Sequence, residues 1–555
     1  MIAMHANISL TLTAILWVFI LTVLPVIAVI IYRLHLHPLS RIPGPKLAAI
    51  SNIWQARYVR GGRVRHLALT LHQQYGPLVR VGPNEIWVCD GVEGVKQVYG
   101  AVNGWEKSEF YWATALNKPV GWSWDWREGV KLEWPDTLDL LSEFDGRRYR
   151  MQRRVIGPVY SASNVKRYEK GVEDVVGRAV EELKRIEGES VDLKMWMHIL
   201  AVECLGEVVL GWSPGYIKTR SDGGTSGQSY AGWKRKSVFG LFPEITALGF
   251  WSKEVSRLWA DLWGVTFVTP KGFKPFFTPV YQKSSKRITG ALREAQEPRT
   301  KSGGNMKGKQ KGNAKTAAER PRVPDLLIDL IKLHQSRPDE FTENYLRRMA
   351  VTNFGAGHET LCSTLTAVVA MIASHPEVHR RVCTEVRAVK DLSYTKAAIK
   401  EAQRLWPVIG MSLARRVPAG GKGEFVAGCH VPPGTTVGCN PVALHRDEAI
   451  FGAETEKYIP ERWLKSGAEE DEERLRVMER YNLIYGGGAR TCPGKSLAEM
   501  VVLKVVTGLF KELDIEIAVM PEDGEMPCYF MAMMSGVTVR FRQIGTEISN
   551  TETIR

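Results

Sequence analysis

Tyr485-Gly486-Gly487-Gly488-Ala489-Arg490-Thr491-Cys492-Pro493-Gly494 is the stretch of this chain that says most about its fold. Three consecutive glycines permit a tight loop whose backbone can approach a flat ligand closely. Cys492 ends the loop. From Pro493 a helical pattern runs to about Phe510, with proline at the first helical position, where it is favoured. A thiolate placed there faces the positive end of a helix, which stabilises the anion and suits it to bind a metal. Arg490, two residues earlier, is placed to pair with a carboxylate. Alone, the segment also reads as a glycine-rich turn holding a buried free cysteine, so the rest of the chain has to decide.

The chain has 555 residues, 44% hydrophobic and 24% charged, a composition with ample material for a core. That excludes a mainly disordered, collagen-like or disulfide-scaffold protein. The eight cysteines are scattered without a Cys-x-x-Cys pair, which offers no zinc ribbon and points to a reducing compartment. The net charge is +14, and residues 299–322 alone carry +7, from eight basic residues against Glu319. The remainder is a mild bias, so no nucleic-acid partner is expected; 299–322 reads as a Lys-, Gly- and Asn-rich surface loop.

Residues 8–32 contain no charge, and as a helix they would span about 37 Å, enough for a hydrocarbon layer of about 30 Å. No Lys or Arg precedes the run, whereas Arg33, Arg41 and Lys46 follow it. The positive-inside rule therefore puts residues 1–7 across the membrane and everything after Arg33 in the cytosol, as a single-pass anchor rather than a cleaved signal. Residues 33–45 form a Pro/Gly hinge ending in Arg41-Ile42-Pro43-Gly44-Pro45.

Beyond the hinge a helix is expected near Val64–Tyr75 and strands at Leu78–Val81 and Glu85–Cys89. Helical periodicity dominates 163–187, 194–211 and 342–374, and strand-like pieces return around 424–439 and 514–542. The class is mainly α with small β-sheets. Residues 120–136, with Trp122, Trp124, Trp126 and Trp134 and no clear period, are an odd inclusion. Inside the longest helix, Ala356-Gly357-His358-Glu359-Thr360 carries glycines that cost a helix about 1 kcal/mol each relative to alanine. Its bland reading is small packing residues beside a solvated acid. Glu401-Ala402-Gln403-Arg404 places Glu401 and Arg404 on one helix face, where they can form a hydrogen-bonded ion pair.

The cysteine loop resembles the haem-thiolate loop of the cytochrome P-450 monooxygenases, with Tyr485, Gly486, Gly488, Arg490 and Cys492 at matching positions and Tyr485 where the family usually has Phe. The resemblance extends, in order, to the oxygen helix around Glu359-Thr360, to Glu401-x-x-Arg404 and to Pro460-Glu461-Arg462-Trp463. It runs from about Arg41 to Arg542, and Pro43-Gly44-Pro45 and Leu444-His445-Arg446-Asp447 are similar to fungal microsomal, pisatin demethylase-like members.

It implies a cytochrome P450 fold over 46–545, with a tail at 546–555. Cys492 is then the axial ligand of haem b iron, with Arg490, Arg153 and Arg415 toward the haem carboxylates. Thr360 serves the dioxygen and Glu359 the proton supply. Glu401, Arg404 and Arg462 form a structural network, and substrate contacts come from 105–144, 353–356, 409–413 and 530–534. It also implies a membrane enzyme of the endoplasmic reticulum, its catalytic part cytosolic, that oxidises a lipophilic small molecule with O2. NADPH-cytochrome P450 reductase supplies the electrons. Two other readings stand beside it: an isomerase or dehydratase of the same fold without external electrons, and an inactive haem-binding membrane protein. The family pattern is broken at Tyr149, where Trp or His usually precedes Arg153 by four, by the tryptophan-rich 120–136, and by a short connection of 24 residues (377–400) before Glu401.

Overall fold

The computed structural model describes residues 17, 19–100, 105–115, 119–125, 129–136, 138–252, 254, 277–296, 324–388, 391–465, 467 and 469–544. The expected lumenal N-terminus at 1–7, most of 8–18, Trp126, the basic stretch 299–322 and the tail at 546–555 lie outside them. Phe19–Leu36 is helical, has no buried residue and is apolar enough to be a candidate membrane span. It continues past Tyr32, the expected end of the anchor, because a terminal charge does not break a helix. Arg33 instead turns its guanidinium onto the Ile50 carbonyl at 2.5 Å.

Helices dominate, as expected. Leu193–Leu210 is apolar all round and packs against Glu343–Ala373, so both are buried along most of their length. Asp192 caps the first by accepting the Met195 N–H at 2.8 Å, and Thr342 caps the second through the Tyr345 N–H at 3.3 Å. Gly357 lets the two approach: a Cβ there would lie 2.9 Å from Leu205 Cδ1. The Glu343–Ala373 helix is unbroken; the Thr360 hydroxyl donates to the Ala356 carbonyl at 2.8 Å and keeps that turn closed. The pattern read over 163–187 divides into Ala162–Val165 and Glu169–Lys184, separated by a tight turn.

Five short strands form the larger sheet in the order Leu78–Gly82, Glu85–Val88, Thr436–Cys439, Arg415–Arg416, Glu106–Lys107. Leu513–Val519, Thr538–Gln543 and Ser190–Asp192 form a second. The late chain also closes on the early chain. Cys528 donates its N–H to the Gly62 carbonyl at 2.7 Å, and Arg65 pairs with Asp523 at 3.1 Å.

Both irregular segments have structure. Within 120–136, Gly121–Asp125 pairs antiparallel with Gly129–Glu133, so Trp122 faces Leu132 and Trp124 faces Val130. The period was hidden because both tryptophans stand on the exposed face, 55% and 67% accessible. The short connection is closed by Glu385, whose carboxylate accepts the N–H groups of Tyr394 at 2.9 Å and Thr395 at 2.7 Å, at the start of helix Ser393–Leu405.

That helix carries Glu401 and Arg404, both wholly buried. Arg404 grips Glu401 with Nε at 2.9 Å and Nη2 at 2.8 Å, and spends its other donors on the carbonyls of His445, Thr455 and Lys457. Glu401 also accepts from Arg462 Nε at 3.2 Å and Trp463 Nε1 at 2.8 Å. His445 then carries the network outward. Its Nδ1 donates to the Arg404 carbonyl at 3.1 Å and its Nε2 accepts the Leu483 N–H at 2.9 Å.

Glu401→Gln keeps the shape and removes the charge shared by Arg404 and Arg462. It should cost about 3–5 kcal/mol in denaturant unfolding; an unchanged midpoint would refute a role for the charge. Burial, then Arg404, holds the His445 pKa down at about 3. An unfolded histidine titrates near 6.5, so between these values the unfolded chain binds the extra proton. Stability fully present above about pH 6.5 should therefore fall as pH drops toward 3, and a His445→Asn variant should show a shallower acid slope.

Candidate functional site

The cysteine loop begins two residues after Leu483. Gly486 donates its N–H to the Leu483 carbonyl at 2.9 Å, and Cys492 donates its N–H to the Tyr485 carbonyl at 2.8 Å, closing the loop on itself. Gly488 has φ +61°, and a Cβ there would lie 1.7 Å from the Tyr99 carbonyl oxygen. The helix starts at Lys495, not at Pro493: Pro493 and Gly494 make the turn, and Gly494 is the cap residue, accepting the Ala498 N–H at 2.9 Å. The Cys492 side chain is exposed to a cavity of about 260 Å³ lined by Arg153, Gly157, Tyr160, Pro493, Lys495 and Ser496. The protein packed around its thiol pushes the pKa up, while the Gly494 N–H and the Arg153 charge favour the thiolate.

Arg490 and Arg415 line a neighbouring cavity of about 400 Å³ with Tyr99, Trp105 and Tyr149. Arg490 donates to the Glu143 carbonyl at 2.9 Å and lies 4.3 Å over the Tyr149 ring, whose hydroxyl donates to the Ala489 carbonyl at 3.2 Å. Tyr149 thus ties the Gly146–Ile156 helix to the loop. Arg415 donates to the Leu413 and Ala414 carbonyls and stands 5.1 Å over Tyr99.

Lys107 joins them because its strand pairs with Arg415 directly opposite. Its ammonium donates to the Leu140 carbonyl at 2.9 Å, and burial, then Arg490 and Arg415, holds its pKa well below the usual lysine range. Among the described residues, none of Arg153, Arg415, Arg490 and Lys107 has a carboxylate at ion-pair distance. Buried and half-buried cations without a carboxylate at ion-pair distance fit a ligand that brings its own carboxylates, and the accessible thiol fits one that brings a metal.

The Glu343–Ala373 helix is tied to the Cys492 cavity by Tyr160, whose hydroxyl donates to Asn353 Oδ1 at 2.5 Å. Thr360 is half-buried beside exposed Ala356, whereas Glu359 and His358 are buried. Three of the segments expected to contact substrate, 105–144, 409–413 and 530–534, meet. Phe110 stacks on Phe530 at 5.7 Å, and Gly410 donates to the Phe530 carbonyl at 2.9 Å. The methionines there do not serve as open contacts: Met531, Met533 and Met534 are core residues, no more than 2% accessible.

The structure brings Cys492, Arg153, Arg415 and Arg490 to the two adjoining cavities and keeps Glu401, Arg404 and Arg462 behind them. Lys107, Tyr99 and His445 were not foreseen. Only the Leu444–Asp447 motif pointed near any of them. Gly488→Ala should prevent the loop from closing against Tyr99, giving protein that binds little or no haem, read as absorbance per polypeptide. Haem content like that of the parent would contradict the close approach.

The sequence profile described as Cytochrome P450 matches residues 139–534. The chain is 54% identical over 541 residues to the cytochrome P450 monooxygenase sdnT of Sordaria araneosa, covering 93% of each. It is 27% identical over 529 residues to the cytochrome P450 monooxygenase gsfF of Penicillium aethiopicum, covering 92% of this chain and 94% of that one. A pisatin demethylase of Fusarium vanettenii is 26% identical over 521 residues, with 90% and 91% covered. A helical body with small sheets, an open thiol beside a group of cations, and these relationships have one reading: the chain belongs to the cytochrome P450 family, whose members hold haem iron through a thiolate.

Proposed function

We propose that the protein inserts one oxygen atom from O2 into a lipophilic small molecule, as a step of fungal secondary metabolism. Electrons come from NADPH through a separate flavoprotein reductase. The observation that carries this reading is the accessible Cys492 thiol at the head of a cavity, with Arg153, Arg415 and Arg490 lining that cavity and its neighbour and, among the described residues, no carboxylate at ion-pair distance from them.

Cys492 is the residue that would hold the iron, and Arg490, Arg415 and Arg153 would take the haem carboxylates. Gly486 and Gly488 keep the loop thin enough for a flat ring to lie against it, with Tyr485 at its base. Thiolate-bound haem supplies the dioxygen chemistry, because the thiolate pushes electron density to iron and favours O–O cleavage. Thr360 Oγ1 would exchange its bond to the Ala356 carbonyl for an acceptor in the cleft, and Glu359 would return a proton to it. Glu401, Arg404 and Arg462 hold the loop's foundation without touching the reacting atoms. The haem domain is assigned to 46–545 behind an anchor ending near residue 36, with the body on the cytosolic face of the endoplasmic reticulum.

The reduced, CO-bound absorption spectrum tests the assignment. The thiolate signature should be present in the purified protein and absent from Cys492→Ala; a Soret band typical of imidazole-ligated haem in the parent would overturn it. Product formed only with NADPH and reductase separates an oxygenase from an isomerase or an inactive haem protein.

A further inference from the structure

The hairpin of Gly121–Asp125 and Gly129–Glu133 breaks the family pattern, and the proposed chemistry does not use it. Strand alternation gives it two unlike faces. Trp122 and Trp124 share one face with their cross-strand partners Leu132 and Val130, whereas Ser123, Asp125, Lys131 and Glu133 take the other. Lys131 pairs with Asp125 at 3.4 Å on that polar face. On the apolar face Val130 and Leu132 are half-buried, but both indoles are exposed.

A short series of neighbours ties this hairpin to the foot of the N-terminal span. Arg33, near the end of the span, donates to the Ile50 carbonyl, and its own carbonyl accepts Arg80 Nη1 at 2.8 Å. Two residues beyond Ile50, Asn52 Nδ2 donates to the Leu241 carbonyl at 2.6 Å. That bond joins helix Ile53–Arg60 to the turn leading into helix Pro243–Trp251. The second of these helices packs on the strand Gly129–Glu133. Along this path apolar side chains point outward: Leu47, Ile53 and Leu248, then Val120, Trp122 and Trp124. Among the described residues, these six are half of the twelve large hydrophobic side chains exposed after Leu36. A concentration of that kind marks an interaction surface.

We propose that the hairpin is a second attachment to the membrane, with its two indoles lying in the interface of the leaflet from which the span emerges. Size and chemistry favour a bilayer over a protein partner. At about 250 Å² per indole, the exposed parts of Trp122 and Trp124 offer about 300 Å², against about 800 Å² per partner in a stable protein pair. An indole has an apolar body and an N–H edge, which suits it to the boundary between acyl chains and headgroups. Residues 120–136 carry two basic and four acidic residues, so attraction to anionic headgroups does not drive the contact. With the span at one point and the hairpin at another, the body is held at one tilt to the bilayer. This inference rests on the membrane-anchor part of the proposed function and adds a contact to it.

The test uses full-length holoprotein in phosphatidylcholine nanodiscs that hold a single copy, with acyl chains plain or brominated near the headgroup. The emission of the two indoles is the difference between the parent and the double variant Trp122→Ser, Trp124→Ser. Brominated lipid should quench that difference by about half or more, because an interfacial side chain sits about 5–10 Å into the boundary. Adding phosphatidylserine, or raising salt from about 0.1 M to about 1 M, should leave the quenching unchanged; a need for anionic lipid would overturn the proposal. Both side chains are exposed, so the thermal midpoint of the double variant should be unchanged or raised. A clear fall would assign the tryptophans to the fold instead. A difference emission indifferent to bromine, in protein that still resists alkaline carbonate extraction from vesicles, would overturn the second attachment and keep the span. A dimer in detergent that the substitutions dissociate would give the face to a second copy of the chain and overturn the proposal as well. Extraction of the parent by carbonate would sink the anchor reading and this proposal with it.

Discussion

The bond between Arg404 and Glu401 is the constraint on which the rest of the structure hangs. A guanidinium has five N–H donors in a rigid fork, and all five are spent here: two on Glu401 and three on the carbonyls of His445, Thr455 and Lys457. Those carbonyls come from a stretch with little regular structure, which has no ladder of its own to satisfy them. Lysine, a point charge on a flexible stem, has neither the donors nor the planarity to gather them. From there the order passes through His445 to Leu483, from Leu483 to Gly486, and from Tyr485 to Cys492. Each step is a single hydrogen bond, and at the buried His445 and Leu483 a missing partner is costly. The thiol is held in place by a chain of obligations that begins at an ion pair it never touches.

What could be read in the sequence follows from how far apart the cooperating residues lie. Glu401 and Arg404 are three apart on one helix, and the loop from Tyr485 to Cys492 is a local motif, so both were legible. The helices at 64–75, 194–211 and 342–374 announced themselves by periodicity, and the structure places them within a residue of those bounds. Lys107 was invisible because its neighbour Arg415 lies 308 residues away and the two meet only through strand pairing. Tyr99 is hidden for the same reason, its hydroxyl bonding Leu413 and the backbone N–H of Cys439. Pro493 misled because proline suits a turn before a cap as well as a first helical turn. The tryptophan segment showed no period in the sequence, whereas Trp122 and Trp124 stand exposed on one strand of a hairpin.

Net charge proved a poor guide to chemistry. Half of the +14 sits in 299–322, outside the described residues, whereas the cations beside Cys492 are few and mostly surrounded by protein. What distinguishes them is that, among the described residues, no carboxylate stands at ion-pair distance from them, in a molecule whose surface lysines and arginines commonly have one within 4 Å. Surface pairs of that kind contribute little to stability. Cations packed together in a low-dielectric setting store repulsion that an incoming anion relieves, and the protein keeps that repulsion in one place.

The contact between Gly62 and Cys528 carries a consequence in time. The two residues are 466 positions apart, and the hydrogen bond between them cannot form until almost the whole chain exists. At about 5–20 residues per second, the segment around Gly62 waits on the order of 25–90 seconds for its partner. Through that interval the helix Val64–Tyr75 has apolar side chains to cover and no C-terminal segment to cover them. An N-terminal span that enters the bilayer early would hold this unfinished edge beside the membrane, and the chamber would close only as the last strands arrive.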